Sequence, residues 1–306
     1  MKLLSLISAS FIAAISLMGG MHAQDIGEGI VLTCEKPGVF ALTFDDGPSL
    51  YTPALLKTLK EKQVTVTFFV LGVNVIDLTI SGFLKQAYDD GHQIALHTHT
   101  HPHLNTLTEA QIREEMTQVE KAVQNVIKVT PNFMRPPHGE CNENTRLALT
   151  RMNYTIINWN VDSNDWRYHG DPSKYELVYT NIEKELELGT PASSFISLQH
   201  DIEEFSVSMT GRIIDLIRGK NYTFETVADC LGNRVPMYRD AQNNNKKANS
   251  TILPTNTTSV MSKSSPTATN NITPMTSIVS SNTAMMSVVS WSTVIMLILG
   301  LSISST

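Results

Sequence analysis

The sequence has little charge and no excess of basic residues. Among its 306 residues, 23 Lys and Arg stand against 29 Asp and Glu, which gives a formal net charge of −6, and charged types make up 17% of the chain. The only charged residues outside residues 24–240 are Lys2, Lys246, Lys247 and Lys263, so that region holds the whole acidic excess. An acidic domain repels a phosphate backbone. The composition therefore argues against nucleic-acid binding, and we expect no nucleic-acid partner.

Long apolar runs are also missing from the middle of the chain, and the two runs at the ends are too short to span a bilayer comfortably. Residues 3–17 are mostly apolar and are followed by small residues before Gln24. This pattern is typical of a cleaved secretory signal peptide over residues 1–23. A short membrane anchor is the alternative.

The other end combines a polar segment with a second apolar run. Residues 241–281 are rich in Ser and Thr, contain no acid, and cannot bury enough apolar surface to fold, so we expect a disordered stalk. Residues 288–303 are nearly all apolar, and no Lys or Arg follows them. We expect residues 282–306 to be a GPI-anchor signal with attachment at Asn282, on a protein secreted to the outer face of the plasma membrane. A tail-anchored helix is the alternative.

Cysteine is scarce, but a protein in the secretory pathway can form disulfides from the few cysteines it has. In an oxidising compartment Cys34 and Cys230 could join the two ends of the folded region, which would leave Cys141 unpaired. The spacing alone does not decide this pairing. The same pathway would make glycan acceptors of five Asn-x-Ser/Thr sequons, at Asn153, Asn221, Asn249, Asn256 and Asn271.

The region between the ends, residues 24–240, shows strand and helix patterns in alternation. Such alternation predicts an α/β fold with a parallel sheet, either open or closed into a (β/α) barrel. The clearest helix follows the capping-box sequence that begins at Thr108. The predicted strands are 39–44, 64–70, 93–97, 132–134, 155–161 and 194–199, and the predicted helices are 53–61, 80–90, 108–128, 143–151, 173–188 and 207–218.

Chemically reactive residues follow the predicted strands. Carboxyl ends of parallel strands lie on one face of such a fold, and sites are built there. We therefore expect one site at this rim. The segments concerned are 45–46, 97–103, 135–139, 162–166 and 200–201.

Histidines are concentrated in the segment 97–103. His97 and His101 are four residues apart, so one turn can direct both rings to the same point, as metal ligands require. Asp46 is a suitable third ligand, which leaves one position open for water. For this cluster taken alone, histidines with a purely structural role are an equal alternative. A closed structural metal site with His99 or His103 as fourth ligand is another.

The neighbouring carboxylates Asp45 and Asp46 suggest a division of tasks. One can bind the cation, while the other accepts a proton from water that the cation activates. An ordinary Asp-Gly-Pro turn is the alternative, but it does not explain why two acids end an apolar strand.

The motifs TFDDGP, HTHTH, RPPHG, DSNDW and LQHD occur in this order and resemble the polysaccharide deacetylase family (carbohydrate esterase family 4, NodB-like), most closely its fungal chitin-deacetylase members. The resemblance covers about residues 30–230. It implies an irregular (β/α) barrel, which would occupy the folded region 24–240, and a divalent metal, usually Zn²⁺ and alternatively Co²⁺ or another ion.

The resemblance also implies roles for single residues. Asp45 resembles the general base, Arg135 the arginine that orients it, His200 the general acid and Asp165 its carboxylate partner. The implied metal ligands are Asp46, His97 and His101. The implied substrate-binding residues are His138, which replaces the family's usual Tyr and would offer its backbone N–H, Trp166 as a groove wall, and Leu198 beside the acetyl methyl group.

The implied activity is metal-dependent removal of N-acetyl groups from chitin or its oligomers, giving chitosan and acetate. Together with the stalk and anchor, it would place the enzyme at the plasma membrane facing cell-wall polysaccharide. The alternatives are an O-deacetylase of another polysaccharide, such as xylan, and a non-catalytic chitin-binding wall protein. Three cysteines are too few for a separate Cys-rich chitin-binding module.

Overall fold

The computed structural model describes residues 29–239, where ten strands alternate with eight α-helices. The predicted signal peptide, stalk and anchor signal with Asn282, and the sequons at Asn249, Asn256 and Asn271, lie outside the described residues. The strands are β1 Ile30–Val31, β2 Val39–Ala41, β3 Thr43–Asp45, β4 Thr67–Val70, β5 Gln93–Leu96, β6 Phe133–Met134, β7 Thr155–Ile157, β8 Val161–Asp162, β9 Phe195–His200 and β10 Thr223–Phe224. The helices are α1 Thr52–Lys62, α2 Gly72–Val75, α3 Ser81–Asp89, α4 Glu109–Ile127, α5 Glu143–Arg151, α6 Leu177–Leu188, α7 Glu204–Gly219 and α8 Val227–Cys230.

The predicted helices are all present, with small changes at their ends. α4 begins with the predicted capping box, in which Thr108 and Gln111 bond reciprocally. α6 begins only at Leu177, after a 3₁₀ turn at Pro172–Lys174. The very short elements β1, β10, α2 and α8 were not predicted, because two to four residues carry too little periodicity to be recognised.

Two long predicted strands are each divided in the structure, so those predictions were wrong. At 39–44 the ladder breaks at Leu42, because the Thr43 N–H bonds to the Ser197 hydroxyl, 3.4 Å away, instead of to a strand carbonyl. At 155–161 the chain leaves β7 and reaches a different partner in β8. Asn160 makes this passage possible, since its backbone N–H and its side-chain oxygen both bond to Ile196.

Every strand pair in the described region is parallel, and the strands follow one another as a barrel. Neighbours run from β9 through β3, β4, β5 and β6 to β7. Three residues later the chain enters β8, which pairs with β9. The ring therefore closes through the segment 158–160, although its hydrogen-bond ladder is interrupted there. This confirms the expected α/β fold with an irregular (β/α) barrel.

Residue alternation along the strands separates two apolar cores. Phe40, Phe44 and Ile94 face the surrounding helices, whereas Ala41 and Ala95 face the interior of the barrel. α8 lies against the interior core, and its first two N–H groups bond to the side chains of Thr67 and Gln93. The interior is therefore filled with side chains at this end, and the opposite end is left for the site.

Cys34 and Cys230 form a disulfide with Cα atoms 5.0 Å apart, and Cys141 is a free thiol. Cys34 lies just after β1, and Cys230 lies in α8, which follows β10. The bridge therefore joins segments next to β1 and β10, the two strands at the ends of the hydrogen-bonded strand order.

The sequons at Asn153 and Asn221 both lie exposed in turns with φ of 61° and 66°. No helix within residues 29–239 has the length and apolarity of a bilayer span.

Candidate active site

The carboxyl ends of the barrel strands bring the predicted residues together. Asp45 and His200 end β3 and β9 and are paired in register, while His97 and Arg135 directly follow β5 and β6. All four continue the inward-facing series of their strands, so their side chains enter the mouth of the barrel. The sequence pattern that builds the interior core thus also directs these polar groups to one point.

Asp46, His97 and His101 form the candidate metal centre. Their ligand atoms all lie within 4.8 Å of one another, and Asp46 Oδ1 is 3.4 Å from His97 Nε2 and 3.5 Å from His101 Nε2. Asp46 Oδ1 is buried without a hydrogen-bond partner in the structure. A buried carboxylate oxygen without a donor is costly, and a cation between these three groups would remove that cost. The residues therefore fit a divalent metal.

The tautomer of His97 also suits a metal. Its Nδ1–H donates to the carbonyl of Arg135 over 2.8 Å, which leaves the Nε2 lone pair facing Asp46. Burial, and then the charge of His101, lower the pKa of His97 well below its usual value. The ring is therefore neutral near pH 7, as ligation requires.

The loop that carries the ligands is held from outside the cluster. Asp46 and His101 have φ of 71° and 61°, in the left-handed region that non-glycine residues rarely adopt. Asn74 on α2 donates to the Asp46 carbonyl over 2.7 Å. Glu115 on α4 accepts from the N–H groups of His99 and Thr100 at 2.9 and 2.8 Å. Asn74 and Glu115 were not predicted, because an exposed-looking polar residue on a helix gives no signal in one sequence.

The other two histidines of the segment do not join the cluster. The His99 side chain packs against Gly72, where a Cβ would lie only 2.1 Å from its Nδ1. His103 is largely exposed, and its Nδ1 pairs with Glu140 at 3.1 Å. Within residues 29–239 the cluster thus has three protein ligands. The alternative of a closed site with a fourth histidine ligand has no support in this geometry.

Asp45 lies beside the metal cluster and is paired with Arg135. Arg135 Nη1 donates to Asp45 Oδ1 over 2.6 Å, and Asp45 Oδ2 is 3.8 Å from His97 Nε2. Burial raises the pKa of Asp45 to about 6, against the lowering effects of Arg135 and His200. The carboxylate is ionised at neutral pH yet is a stronger base than an exposed aspartate.

Arg135 is the largest fully buried side chain in the described region. Its guanidinium carbon lies 4.1 Å from the centroid of the Phe69 ring, and Nη1 also bonds to the Thr43 hydroxyl at 2.8 Å. These contacts fix the guanidinium plane and, through it, the orientation of the Asp45 carboxylate.

His200 forms the second pair, with Asp165. The His200 Nδ1–H and backbone N–H donate to different oxygens of Asp165, both over 2.7 Å. Ser206 on α7 adds a third donor to the same carboxylate at 2.6 Å. Burial by itself would lower the pKa of His200, but the Asp165 charge and hydrogen bond outweigh it and raise this pKa to about 9. The imidazole is protonated at neutral pH, with Nε2 4.0 Å from Asp46 Oδ2.

His138 lies between two other imidazoles at the rim, meeting His101 edge to face and stacking on His103. Its ring centroid is 4.5 Å from that of His101 and 3.8 Å from that of His103. The backbone of His138 is left-handed, with φ of 59°, and Gly139 follows with φ of 68°. A Cβ at Gly139 would lie 2.7 Å from Trp159, so glycine is required there.

Trp166 and Leu198 differ in their exposure. Trp166 is 51% exposed, and the Arg167 guanidinium carbon lies 4.6 Å from its ring centroid, which leaves one face open as a groove wall would need. Leu198 is buried two residues before His200.

Asp201 is buried behind this site and was given no role from the sequence. Its Oδ2 accepts from the Thr52 hydroxyl over 2.5 Å, and a Cβ on Gly47 would lie 2.2 Å from its Oδ1. Burial raises its pKa to about 7. The carboxyl group thus packs directly under the turn that carries Asp46, a contact that joins two distant motifs and is invisible in the sequence.

Known proteins resemble this chain in both sequence and structure. The polysaccharide deacetylase family matches residues 33–157. A chitin deacetylase of Colletotrichum lindemuthianum is 36% identical over 206 residues, which cover 66% of this chain and 83% of that protein. Its solved structure superposes with a TM-score of 0.66 over 69% of this chain and 95% of that one. A peptidoglycan-N-acetylglucosamine deacetylase of Bacillus cereus is 33% identical over 192 residues, 61% of this chain and 66% of that protein.

Proposed function

The chain belongs to the polysaccharide deacetylase family of hydrolases, and from that premise we propose that it is a chitin deacetylase. In this proposal it hydrolyses the N-acetyl groups of β-1,4-linked N-acetylglucosamine and releases acetate, leaving free amines. The observation that carries the proposal is the meeting of three ligands, one ionised carboxylate and one protonated imidazole within the same barrel mouth.

Asp46, His97 and His101 would hold the ion, for which we propose Zn²⁺, since two imidazoles and a carboxylate form a common zinc donor set. When bound, such an ion supplies Lewis-acid chemistry, activating water and polarising the amide carbonyl. His97 is prepared for this by its hydrogen bond to the Arg135 carbonyl, which holds the ligating nitrogen toward Asp46.

Asp45 is proposed to accept the proton of the attacking water. Its Oδ1 is occupied by Arg135, whereas Oδ2 faces the cluster, 3.8 Å from His97 Nε2. The proton is therefore taken up at Oδ2. Arg135 keeps the carboxylate ionised before the reaction and oriented during it.

The backbone N–H of His138 is proposed to donate to the oxygen of the amide carbonyl as negative charge develops on it. A main-chain donor is independent of the side chain, so histidine in place of the family's usual tyrosine leaves this interaction in place. The His138 ring packs edge to face against His101 and stacks on His103, and its backbone is left-handed.

His200 is proposed to protonate the leaving nitrogen. Nδ1 is engaged by Asp165, so Nε2 carries the proton that is transferred. Because an amine is a poor leaving group, this step is as necessary as the proton uptake by Asp45. Leu198 and Trp166 would bound the acetyl group and the sugar ring on this side.

The experiment that tests the proposal is acetate release from a tetramer of N-acetylglucosamine by the purified protein. A chelator should abolish release, and added Zn²⁺ should restore it. Acetylated xylan and peptidoglycan serve as competing substrates in the same assay. Release only from acetylated xylan would replace the proposal with O-deacetylation, and tetramer binding without release from any substrate would indicate a wall-binding protein.

We further propose that the enzyme is secreted and held at the plasma membrane by a GPI anchor, facing newly made chitin in the cell wall. The support is the sequence pattern at residues 1–23 and 241–306. Phosphatidylinositol-specific phospholipase should release the protein from intact cells, and an Asn282→Leu variant should lose cell-surface retention. Retention that survives both treatments would favour a tail-anchored helix.

A further inference from the structure

The two imidazoles of the metal cluster differ in how firmly the chain fixes them. His97 lies directly after β5, where its N–H bonds to the Val70 carbonyl over 2.9 Å, and its side chain is only 2% exposed. The His101 side chain comes from farther along the loop and is 28% exposed. The position of His101 therefore depends on the shape of the loop that carries it.

That loop has an unfavourable backbone. Thr98 and His101 have φ of 70° and 61°, so a left-handed residue stands at each end of the segment 98–101. Such conformations persist only where surrounding groups hold them. Between these ends, the N–H groups of His99 and Thr100 both point to Glu115 on α4. Successive N–H groups directed to one side form a concave site for an anion.

Glu115 fills that site with its carboxylate. Its Oε2 accepts from the N–H groups of His99 and Thr100 at 2.9 and 2.8 Å, and its Oε1 accepts from the Thr100 hydroxyl at 2.7 Å. The side chain has a rigid base, because Ile112 and Met116 on the same helix are buried in the core. Three hydrogen bonds thus join the loop to a helix that contributes no ligand of its own.

We propose that Glu115 is a positioning residue for the metal. It holds the segment 98–101 in the shape that brings His101 to Asp46 and His97, and it thereby sets the affinity of the site for Zn²⁺. When only a fraction of the molecules has its ligands in place, the apparent affinity falls by that fraction. This inference rests on the metal site of the proposed function and is independent of the substrate.

The test measures the Zn²⁺ dissociation constant of the metal-stripped protein by competition with a chromophoric chelator. Glu115→Ala removes all three hydrogen bonds and should weaken Zn²⁺ binding by about 10- to 100-fold, as loss of an outer contact usually does. Glu115→Asp keeps the charge but is one methylene too short to reach the loop. It should lose affinity in the same way, and it replaces Glu115→Ala in the test should that variant not fold.

Glu115→Gln is the conservative variant. Its amide oxygen can accept both N–H groups and its amide nitrogen can donate to the Thr100 hydroxyl, so the affinity should stay close to that of the wild type. An unchanged affinity in Glu115→Ala would overturn the proposal. An equal loss in Glu115→Gln would overturn it too, because the hydrogen bonds would then not be what sets the affinity.

Two control variants on α4 separate this effect from general changes. Glu114→Ala removes the neighbouring exposed carboxylate, which accepts from Gln118 over 2.6 Å. Val123→Ala loosens the buried face of the helix and should lower the melting temperature of the metal-free protein. Both should bind Zn²⁺ as the wild type does. A loss in Val123→Ala as large as that in Glu115→Ala would show that stability alone explains the effect.

Acetate release in parallel separates this inference from the proposed function. Tight Zn²⁺ binding by the wild type and weak binding by Glu115→Ala would support the inference even where no substrate is hydrolysed. Equal Zn²⁺ binding by the two, with hydrolysis of the N-acetylglucosamine tetramer by the wild type, would overturn the inference and leave the proposed function standing. A wild type that binds no Zn²⁺ would overturn both.

Discussion

Two buried ion pairs meet at the mouth of the barrel. Arg135 donates to Asp45 over 2.6 Å and His200 donates to Asp165 over 2.7 Å, so the two contacts are nearly identical in length. Their consequences for the proton differ. In the first pair burial outweighs the charge of Arg135 and the pKa of Asp45 rises to about 6, whereas in the second burial is outweighed by the charge and hydrogen bond of Asp165 with the charges of Asp45 and Asp46, and the pKa of His200 rises to about 9.

The difference lies in the number of hydrogen bonds to each carboxylate. Asp165 accepts from the His200 backbone and ring, from Ser206 and from the Trp166 N–H, so it stays ionised despite its burial, and its pKa is lowered. Among residues 29–239, Asp45 accepts a hydrogen bond from Arg135 alone, at Oδ1. The comparison shows how one barrel mouth can hold a proton acceptor and a proton donor at the same pH.

The largest expected effect is loss of either end of this proton path. Asp45→Asn and His200→Ala should each lower kcat by a factor of about 10²–10⁴, the usual contribution of general acid–base catalysis. Steady-state acetate release measures this, with thermal unfolding as the check on folding. Asp215→Asn, at an exposed pair with Lys62, is the control and should retain activity. A wild-type rate in either site variant would break the assignment.

The next effect separates the two carboxylates. Asp165→Asn keeps the shape of the partner but removes its charge, so the pKa of His200 should fall from about 9 toward or below its ordinary value. The alkaline limb of the kcat/KM profile should then move to lower pH by about two units. If the alkaline limb keeps its wild-type pH while the rate falls, Asp165 has a structural role and does not set the pKa of His200.

The wild-type pH profile tests both pairs together. Activity should fall above about pH 9 as His200 loses its proton, and below about pH 6 as Asp45 gains one. A bound cation lowers the pKa of Asp45 further, so the acid limb should lie at or below that value. The pair of His200 and Asp165 also stabilises the fold fully below the unfolded pKa of about 6.5, and this stability is lost as pH rises through about 9.

The smallest effect concerns a buried histidine without a hydrogen-bonded carboxylate. His92 accepts the Val66 N–H at 3.2 Å, and burial lowers its pKa to about 4. In the unfolded protein His92 has its ordinary pKa of about 6.5 and binds a proton more readily than in the folded protein. The free energy of unfolding should therefore decline as pH falls from 6.5 toward 4. Denaturant unfolding of the wild type and of His92→Gln should show a shallower decline in the variant. Identical slopes would contradict the lowered pKa.

The sequence predicts the fold, and the residues that it singles out meet at one barrel mouth, because the signals for both are local. Strand alternation carries Asp45 and His97 into the barrel mouth, and the spacing of His97 and His101 suggests a shared ligand. Contacts between distant segments could not be predicted. The packing of Asp201 under Gly47 and the passage from β7 to β8 at Asn160 depend on three-dimensional neighbours that leave no period in the chain.

The most direct test of the opposite proton states is nitrogen NMR of His200 in the zinc-loaded protein at pH 7.5. Assignment would come from the loss of its signals in His200→Ala. The account predicts an imidazolium with protons on both ring nitrogens, one held by Asp165 and one ready for the leaving amine. A neutral ring at that pH would contradict it, because the leaving nitrogen would then have no donor.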